Sequence, residues 1–328
     1  MSYNYLTIFE RKILLKFQAQ GLSYRAIALK LHRSPSTISR EFRRLKGKYS
    51  PSRAQKNYVR KRRKCHKPRL LDQDTTLRDK IADYIQDKRW SSEQIVARFE
   101  LEGLPCVSYA TIYRHLYAHN LGQPLRSKND SGLKRRLRHK NRTRHDKGKR
   151  RHKEVQTNYL SIHDRPRFIN ERKRLGDWEI DTVLGKTGHS VLITAVDRKS
   201  RYVLLKRVAH KDSPCINQGL IEMFSTIDSE FVCSLTPDHG TEFLDLSAPA
   251  VRLGAVVYWP DPYSPEQRGS NENMNGLLRE YFPKRTNLDD FTDQEITEWQ
   301  KQLNLRPKKV LNYLTATEIF FDKVLHLV

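Results

Sequence analysis

Three carboxylates stand where metal-assisted phosphodiester chemistry could be built. Asp181 lies inside the alternating stretch Trp178-Glu179-Ile180-Asp181-Thr182-Val183-Leu184. Asp238 follows the apolar run from Phe231 to Leu235, and Glu272 sits in Ser270-Asn271-Glu272-Asn273 with 33 residues between it and Asp238. Cutting or joining a phosphodiester calls for hard oxygen ligands that hold two Mg²⁺ or Mn²⁺ ions roughly 3.5–4 Å apart. One ion activates the attacking water or 3′-hydroxyl, and the other neutralises the leaving oxygen. Among 37 acids, however, Asp177, Glu179, Glu242, Asp261 and Glu266 are near competitors. Glu179 shares the strand face of Asp181, because side chains alternate along a strand. The residues alone leave the choice of three open.

The elements that must position these acids are legible from periodicity. The stretches 178–184, 191–196 and 202–208 read as strands, the last two split by the polar turn Asp197-Arg198-Lys199-Ser200-Arg201. Residues 213–229 read as a helix through Ile216, Leu220, Ile221 and Phe224. Strands are expected at 231–235 and 255–259, then a loop from Pro260 to Gly269 and a capped helix start at Ser270. Met274, Leu277, Leu278 and Tyr281 form the buried stripe of that helix, and Glu272 lies off it. The order β-β-β-α-β-α-β-α, with one helix small or unseen, is an α/β layer.

Charge points to the partner. The chain has 328 residues, 62 Lys and Arg against 37 Asp and Glu, and a net charge of +25. Residues 43–69 carry +13 and residues 126–153 carry +12, so two segments hold the whole excess and the rest is neutral. Such runs track phosphate backbones. Cys65, Cys106, Cys215 and Cys233 form no C-x-x-C pair, which argues against a disulfide scaffold or zinc ribbon and fits a reducing cytosol. No apolar run approaches the ~18 residues of a membrane helix, and the first residues lack the apolar core of a signal peptide. The expected location is therefore the cytoplasm, with no membrane and no small-molecule substrate.

Two short helical modules accompany the basic runs. In the first, Thr7-Ile8-Phe9-Glu10 fits a capping box, Gly21 ends the helix, and Ser23 caps a second one. Ser34 and Pro35 suit the cap and first position of a third helix, whose Ile38 and Phe42 face inward. Ser36, Thr37, Ser39, Arg40, Arg43 and Arg44 are then left to face DNA. Small hydroxyls allow close approach to a major groove and Arg can bridge to guanine, so this is a helix-turn-helix. Residues 75–122 repeat the plan: Ser91-Ser92-Glu93-Gln94 caps one helix and Ser108 the next, with Tyr109, Thr111 and Arg114 near the exposed start. His115 and His119 lack paired cysteines, so a zinc site is not expected there.

These residues resemble the IS-thirty family of bacterial insertion-sequence transposases, almost end to end. Leu6-Thr7 with Glu10-Arg11, Gly21-Leu22-Ser23 and Arg33 to Glu41 resemble the family's N-terminal helix-turn-helix. Trp178 to Val183, Asp238-His239-Gly240-Thr241-Glu242-Phe243, and Tyr263-Ser264-Pro265 with Gln267 to Asn273 resemble its three catalytic blocks. Asn275 to Arg279, Tyr281 to Lys284, and Asn304 with Arg306 to Lys309 extend the match. Departures at Asp177, Pro265-Glu266 and Thr315-Ala316 touch none of the three acids.

The resemblance implies a multidomain protein: N-terminal all-α helix-turn-helix modules plus a C-terminal α/β ribonuclease-H-like, integrase-type catalytic domain. The divisions expected are a helix-turn-helix at 1–45, a basic linker at 46–70, a second helix-turn-helix-like domain at 71–125, a basic linker at 126–158, and the catalytic domain at 159–328. It implies Asp181, Asp238 and Glu272 as the DDE triad holding two Mg²⁺ or Mn²⁺ ions. The partners implied are double-stranded DNA (element terminal inverted repeats and target) and further copies of the chain, at least a dimer. Lys284 and Arg279 are candidates for phosphate contact. A non-catalytic DNA-binding regulator or inactive copy, and a plain metal nuclease, are the rival readings.

Overall fold

The computed structural model describes residues 5–65, 69–138, 160–262 and 264–328. Two compact units emerge, residues 1–73 and 74–328. In the first, α1 (Ile8–Ala19) opens on the Thr7/Glu10 capping box, α2 (Tyr24–Lys30) is capped by Ser23, and α3 (Pro35–Phe42) is capped by Ser34 with Pro35 at its first position. Leu14, Ile27, Ala28 and Ile38 form the core between them.

Within the stretch read as a basic linker, the structure has α4 (Pro51–Lys64), followed by the short α5 (Leu70–Gln73). The reason is local: Tyr49 and Ala54 complete the apolar core of the first unit. The arginines and lysines of α4 remain on its outer side. The Arg11 guanidinium, fully buried, meets Glu41 at 2.8 Å, and Arg44 reaches the other oxygen of Glu41 at 2.7 Å.

The second unit begins with α6 (Thr75–Gln86), α7 (Ser92–Leu101) and α8 (Tyr109–His119). Both serine caps form as the spacing predicts, that of Ser91 with Gln94 as a full capping box. Then come β1 (Leu160–Ser161), α9 (Arg167–Asn170), β2 (Asp177–Leu184), β3 (Val191–Asp197), β4 (Val203–Val208) and α10 (Ser213–Phe224). They are followed by β5 (Ser234–Thr236), α11 (Ser247–Leu253), β6 (Val256–Trp259), α12 (Gly269–Leu278), α13 (Asp293–Asn304) and α14 (Ala316–Phe321). The helix left unseen in the periodicity is α11. Helix α10 stops at Phe224, short of 229, and β5 starts at Ser234, past 231.

The six strands form one sheet in the order β1-β6-β5-β2-β3-β4. β2, β3 and β4 are antiparallel, while β5, β6 and β1 run parallel to β2. This is the ribonuclease-H-like arrangement the resemblance implies. Alternation divides β2 between two cores. Trp178 and Ile180 join Leu220, Phe224 and Phe320 on one face, and Val183 joins Met274, Leu278 and Trp299 on the other. The acids at 179 and 181 therefore face the α12 side.

Helices α6 to α8 pack on the end of this layer. Arg98 of α7, 2% exposed, is held between Glu102 at 2.6 Å and Glu318 of α14 at 2.8 Å. Glu102 in turn accepts the N–H groups of Leu327 and Val328, and the Tyr84 hydroxyl donates to the Leu327 carbonyl. The C-terminal residues thus tie the helical module to the sheet layer. Residues 139–158 of the second basic stretch lie outside the described residues.

Candidate active site and DNA-reading helices

The parallel register of β2 and β5 pairs Asp177 with Ser234, Trp178 with Leu235 and Glu179 with Thr236. Carried two residues past the end of β5, it brings Asp238 level with Asp181. The two carboxyls are close enough to share a hydrogen bond, which favours the protonated form of Asp181. Asp181 also accepts the Thr182 N–H at 2.8 Å and the Asn275 amide at 2.9 Å, and lies 3.4 Å from the Arg268 guanidinium. Burial is the largest influence on this carboxyl and raises its pKa. The Arg268 charge opposes burial and the Asp238 charge adds to it, leaving Asp181 at about 6. Asp238 is fixed by its own turn, accepting the Gly240 N–H at 2.9 Å.

Glu272 stands in the first turn of α12, exposed. It is three residues before Asn275, so both lie on one face of the helix, the face that meets Asp181. Among the described residues no three His, Cys, Asp or Glu side chains are gathered closely enough to hold one ion. The structure thus brings Asp181 and Asp238 together and leaves Glu272 one helical turn away along α12.

The competing acids are sorted by their partners. Glu179, fully buried, meets Arg198 at 2.6 Å and accepts the N–H groups of Ser270 and Asn271 at 3.1 Å each. Ser270 was the expected cap of α12, but no side chain of the helix caps it. A carboxylate from β2 does so instead, where the first N–H groups of a helix carry partial positive charge. Glu179 is thereby the post on which the helix bearing Glu272 is mounted. Asp177 is held by Arg174 and the Ser234 hydroxyl, Glu242 by Thr182 and Lys211, and Asp261 by His163 and Gln267. Glu266 is exposed.

Arg268, Asn275 and Arg198 were absent from the expected site. The i, i+3 spacing of Glu272 and Asn275 was a signal for the second of them. Arg279, expected at phosphate, instead donates to the Leu184 carbonyl at 2.8 Å and lies against Phe282, with burial lowering its pKa. Lys284 is exposed.

Helices α3 and α8 share a local sequence pattern. Ser34-Pro35-Ser36-Thr37-Ile38-Ser39-Arg40 and Ser108-Tyr109-Ala110-Thr111-Ile112-Tyr113-Arg114 both read S-x-x-T-I-x-R. In each, the serine caps the helix and its hydroxyl meets the threonine hydroxyl, at 2.8 Å in α3 and 3.0 Å in α8. In each, the isoleucine is buried and the arginine folds back onto the carbonyl four residues earlier, Ser36 or Ala110. Ser36, Arg40 and Arg43 are exposed and Thr37 and Ser39 half-buried; in α8, Tyr109 and Arg114 are exposed and Thr111 half-buried. Arg44 points inward to Glu41, a consequence of the buried Arg11–Glu41 pair needing a second cation on its outer oxygen.

A family model described as a helix-turn-helix domain matches residues 2–45. The chain is 40% identical over 320 residues to the transposase InsI for insertion sequence element IS30A of Escherichia coli, covering 96% of this chain and 83% of that one. The chain belongs to the IS30 family of insertion-sequence transposases. The transposase is also 32% identical over 325 residues to that of IS1086 from Cupriavidus metallidurans, covering 97% and 94% of the two chains. It is 31% identical over 304 residues to that of IS4351 from Bacteroides fragilis, covering 91% and 90%. A crystal structure of the catalytic core domain of BIV integrase aligns with a TM-score of 0.36 at 16% identity, over 45% of this chain and 95% of that one. By its family membership and its helix-turn-helix, the transposase is a DNA-binding enzyme that cuts and transfers DNA strands. No helix among its described residues is long and apolar enough to cross a membrane.

Proposed function

We propose that the transposase works by DDE chemistry, with Asp181, Asp238 and Glu272 as its metal-binding residues. The observation that carries this reading is the Asp181–Asp238 pair, two partly buried carboxyls side by side with the pKa of Asp181 raised. A divalent cation would relieve that repulsion, and an all-oxygen donor set suits Mg²⁺ or Mn²⁺. When bound, two such ions would activate a water or 3′-hydroxyl and stabilise the leaving oxygen. The chain's own residues prepare this: Asn275 orients Asp181, the Gly240 N–H orients Asp238, and Glu179 holds the first turn of α12 against β2. Glu272 completes the set from the face of α12 that carries Asn275. Arg268 balances the pair's charge while no cation is bound.

The helix-turn-helix of the first unit, and α7–α8 in the second, bind the terminal inverted repeats. Ser36, Thr37, Ser39, Arg40, Arg43, Tyr109, Thr111 and Arg114 supply contacts, while Arg44 is taken up by Glu41. Two ends must be held together for insertion, so at least a dimer acts, in the cytoplasm at the nucleoid. The deciding experiment is strand cleavage and joining on labelled element-end DNA with Mg²⁺ or Mn²⁺, comparing wild type with Asp238→Asn. Metal-dependent nicked and joined products that vanish in the variant support the reading. Tight binding with no product from the wild type, with paired ends supplied, would favour a regulator or inactive copy. Cutting without joining would favour a plain nuclease.

A further inference from the structure

A cavity of about 910 Å³ lies between α8, α12 and residues 306–310, all within the second unit. Arg138, Arg172, Arg201, Arg306, Lys308 and Lys309 line it, against a single acid, Glu93. That acid accepts the Tyr113 hydroxyl at 2.9 Å, and Arg306 is matched by Glu280 at 2.8 Å. Lys308 has no such relief. It is 9% exposed, and its ammonium donates to the neutral Leu303 carbonyl at 2.7 Å. Burial and the Arg306 charge push it down to about 7. Of these cations Arg306 and Lys308 are buried, and burying the Lys308 charge with no carboxylate upon it is costly unless an anion joins it.

Apolar and aromatic side chains share the lining with the polar Ser91, Gln94, Ser270 and Asn273. Val196, Met274 and Leu277 form one wall, and Tyr113 and Tyr117 of α8 stand in another. A duplex hides its base faces and offers only phosphates to such walls. A single strand offers both, phosphates to the cations and base faces to the rings. The place also suits a DNA strand. Gly269, Ser270, Asn273, Met274 and Leu277 of α12 face the cavity, while Arg268 and Asn275 face Asp181. The cavity and the acid pair are therefore separated by one helix, about 10 Å across with its side chains. Arg138 bonds Asn273, and its guanidinium passes over Gly276, where a Cβ would stand 2.7 Å from it.

We propose that this cavity seats a short single-stranded DNA segment adjoining the strand that is cut. The location rests on the acid pair being the cutting site; the binding itself does not, and so it is tested without metal. The probe is a fluorescein-labelled 12-nucleotide oligo-dT, with a random duplex as control, titrated with full-length protein in EDTA across a range of salt. Arg172→Gln/Lys309→Gln should weaken oligo-dT binding at least tenfold. It should reduce the slope of log K against log salt by about 1.4, at roughly 0.7 per single-strand phosphate, and leave duplex binding within twofold. Tyr117→Ala, at an exposed position, should cost oligo-dT at least about fivefold, the lower end of one lost base stack, and duplex nothing. Unchanged oligo-dT binding in both variants, or equal losses on oligo-dT and duplex, would overturn the proposal. Because no metal is present, either result leaves the outcome for Asp238→Asn untouched.

Discussion

Replacing Glu179 by Gln tests how the active-site helix is held. The carboxylate is fully buried, meets Arg198 at 2.6 Å and caps α12 through two N–H groups. Glutamine keeps the shape but leaves the Arg198 charge, itself 6% exposed, without its partner. Breaking a buried ion pair from one side costs about 3–5 kcal/mol. For a unit of this size each kcal/mol is worth roughly 2–4 °C, so the melting temperature should fall by about 6–20 °C. Glu179→Met/Arg198→Met removes both charges and should recover most of that loss. It should not recover strand cleavage, because Ser270 and Asn271 still lack their acceptor and Glu272 rides on that turn. The assays are thermal melting followed by tryptophan fluorescence, with Trp178 beside the substitution, and cleavage of labelled element-end DNA below the melting range. A Glu179→Gln variant melting within about 2 °C of wild type would refute the ion-pair reasoning, since that is under 1 kcal/mol. Full cleavage by the double variant would refute the cap.

Three further outcomes are expected. The Asp181 carboxyl is raised to about 6, so the native state holds its proton more tightly than the unfolded chain and stability falls as pH rises from about 4 through 6. In EDTA, Asp181→Asn should therefore match wild type near pH 4 and be the more stable by at most about 3 kcal/mol at pH 7, whereas parallel melting curves would contradict the shift. Arg98→Met leaves Glu102 and Glu318 facing each other without a cation; about 3–5 kcal/mol should be lost, and limited proteolysis should release the C-terminal residues first. Arg40→Ala and Arg114→Ala should each relax base preference, at different positions of the element end, as measured by binding to a randomised end library. Identical profiles for wild type and Arg114→Ala would remove α8 from base reading.

The helix caps were legible because each rests on a serine or threonine and its near neighbours in sequence. Strands β2 to β4 were legible because alternation and a polar turn mark them locally. The adjacency of Asp181 and Asp238 was not legible from spacing, since a parallel register joins residues 57 apart in sequence. The resemblance supplied that pair, and the register explains it. Glu179 was a competitor in the sequence because strand periodicity gives it the same face as Asp181. Only the Arg198 partner and the two N–H groups of α12 separate their roles. Helix α4 was missed because thirteen basic residues and no acid over 43–69 look like a solvated tether, and a single alanine with a tyrosine supplies its packing. The site's remaining polar contacts, Arg268 and Asn275, arise from α12 lying across β2, a tertiary fact with only the i, i+3 spacing to hint at it.

The central claim, that Asp238 is a ligand of the cation that cuts DNA, is tested most directly by changing its donor atom. Asp238→Cys should be inactive with Mg²⁺, which prefers oxygen, and should regain strand cleavage with Mn²⁺ or Cd²⁺, which accept sulfur more readily. Asp238→Ala should stay inactive with every metal. Equal activity of wild type and Asp238→Cys in Mg²⁺, or rescue of the alanine variant by Cd²⁺, would contradict the assignment.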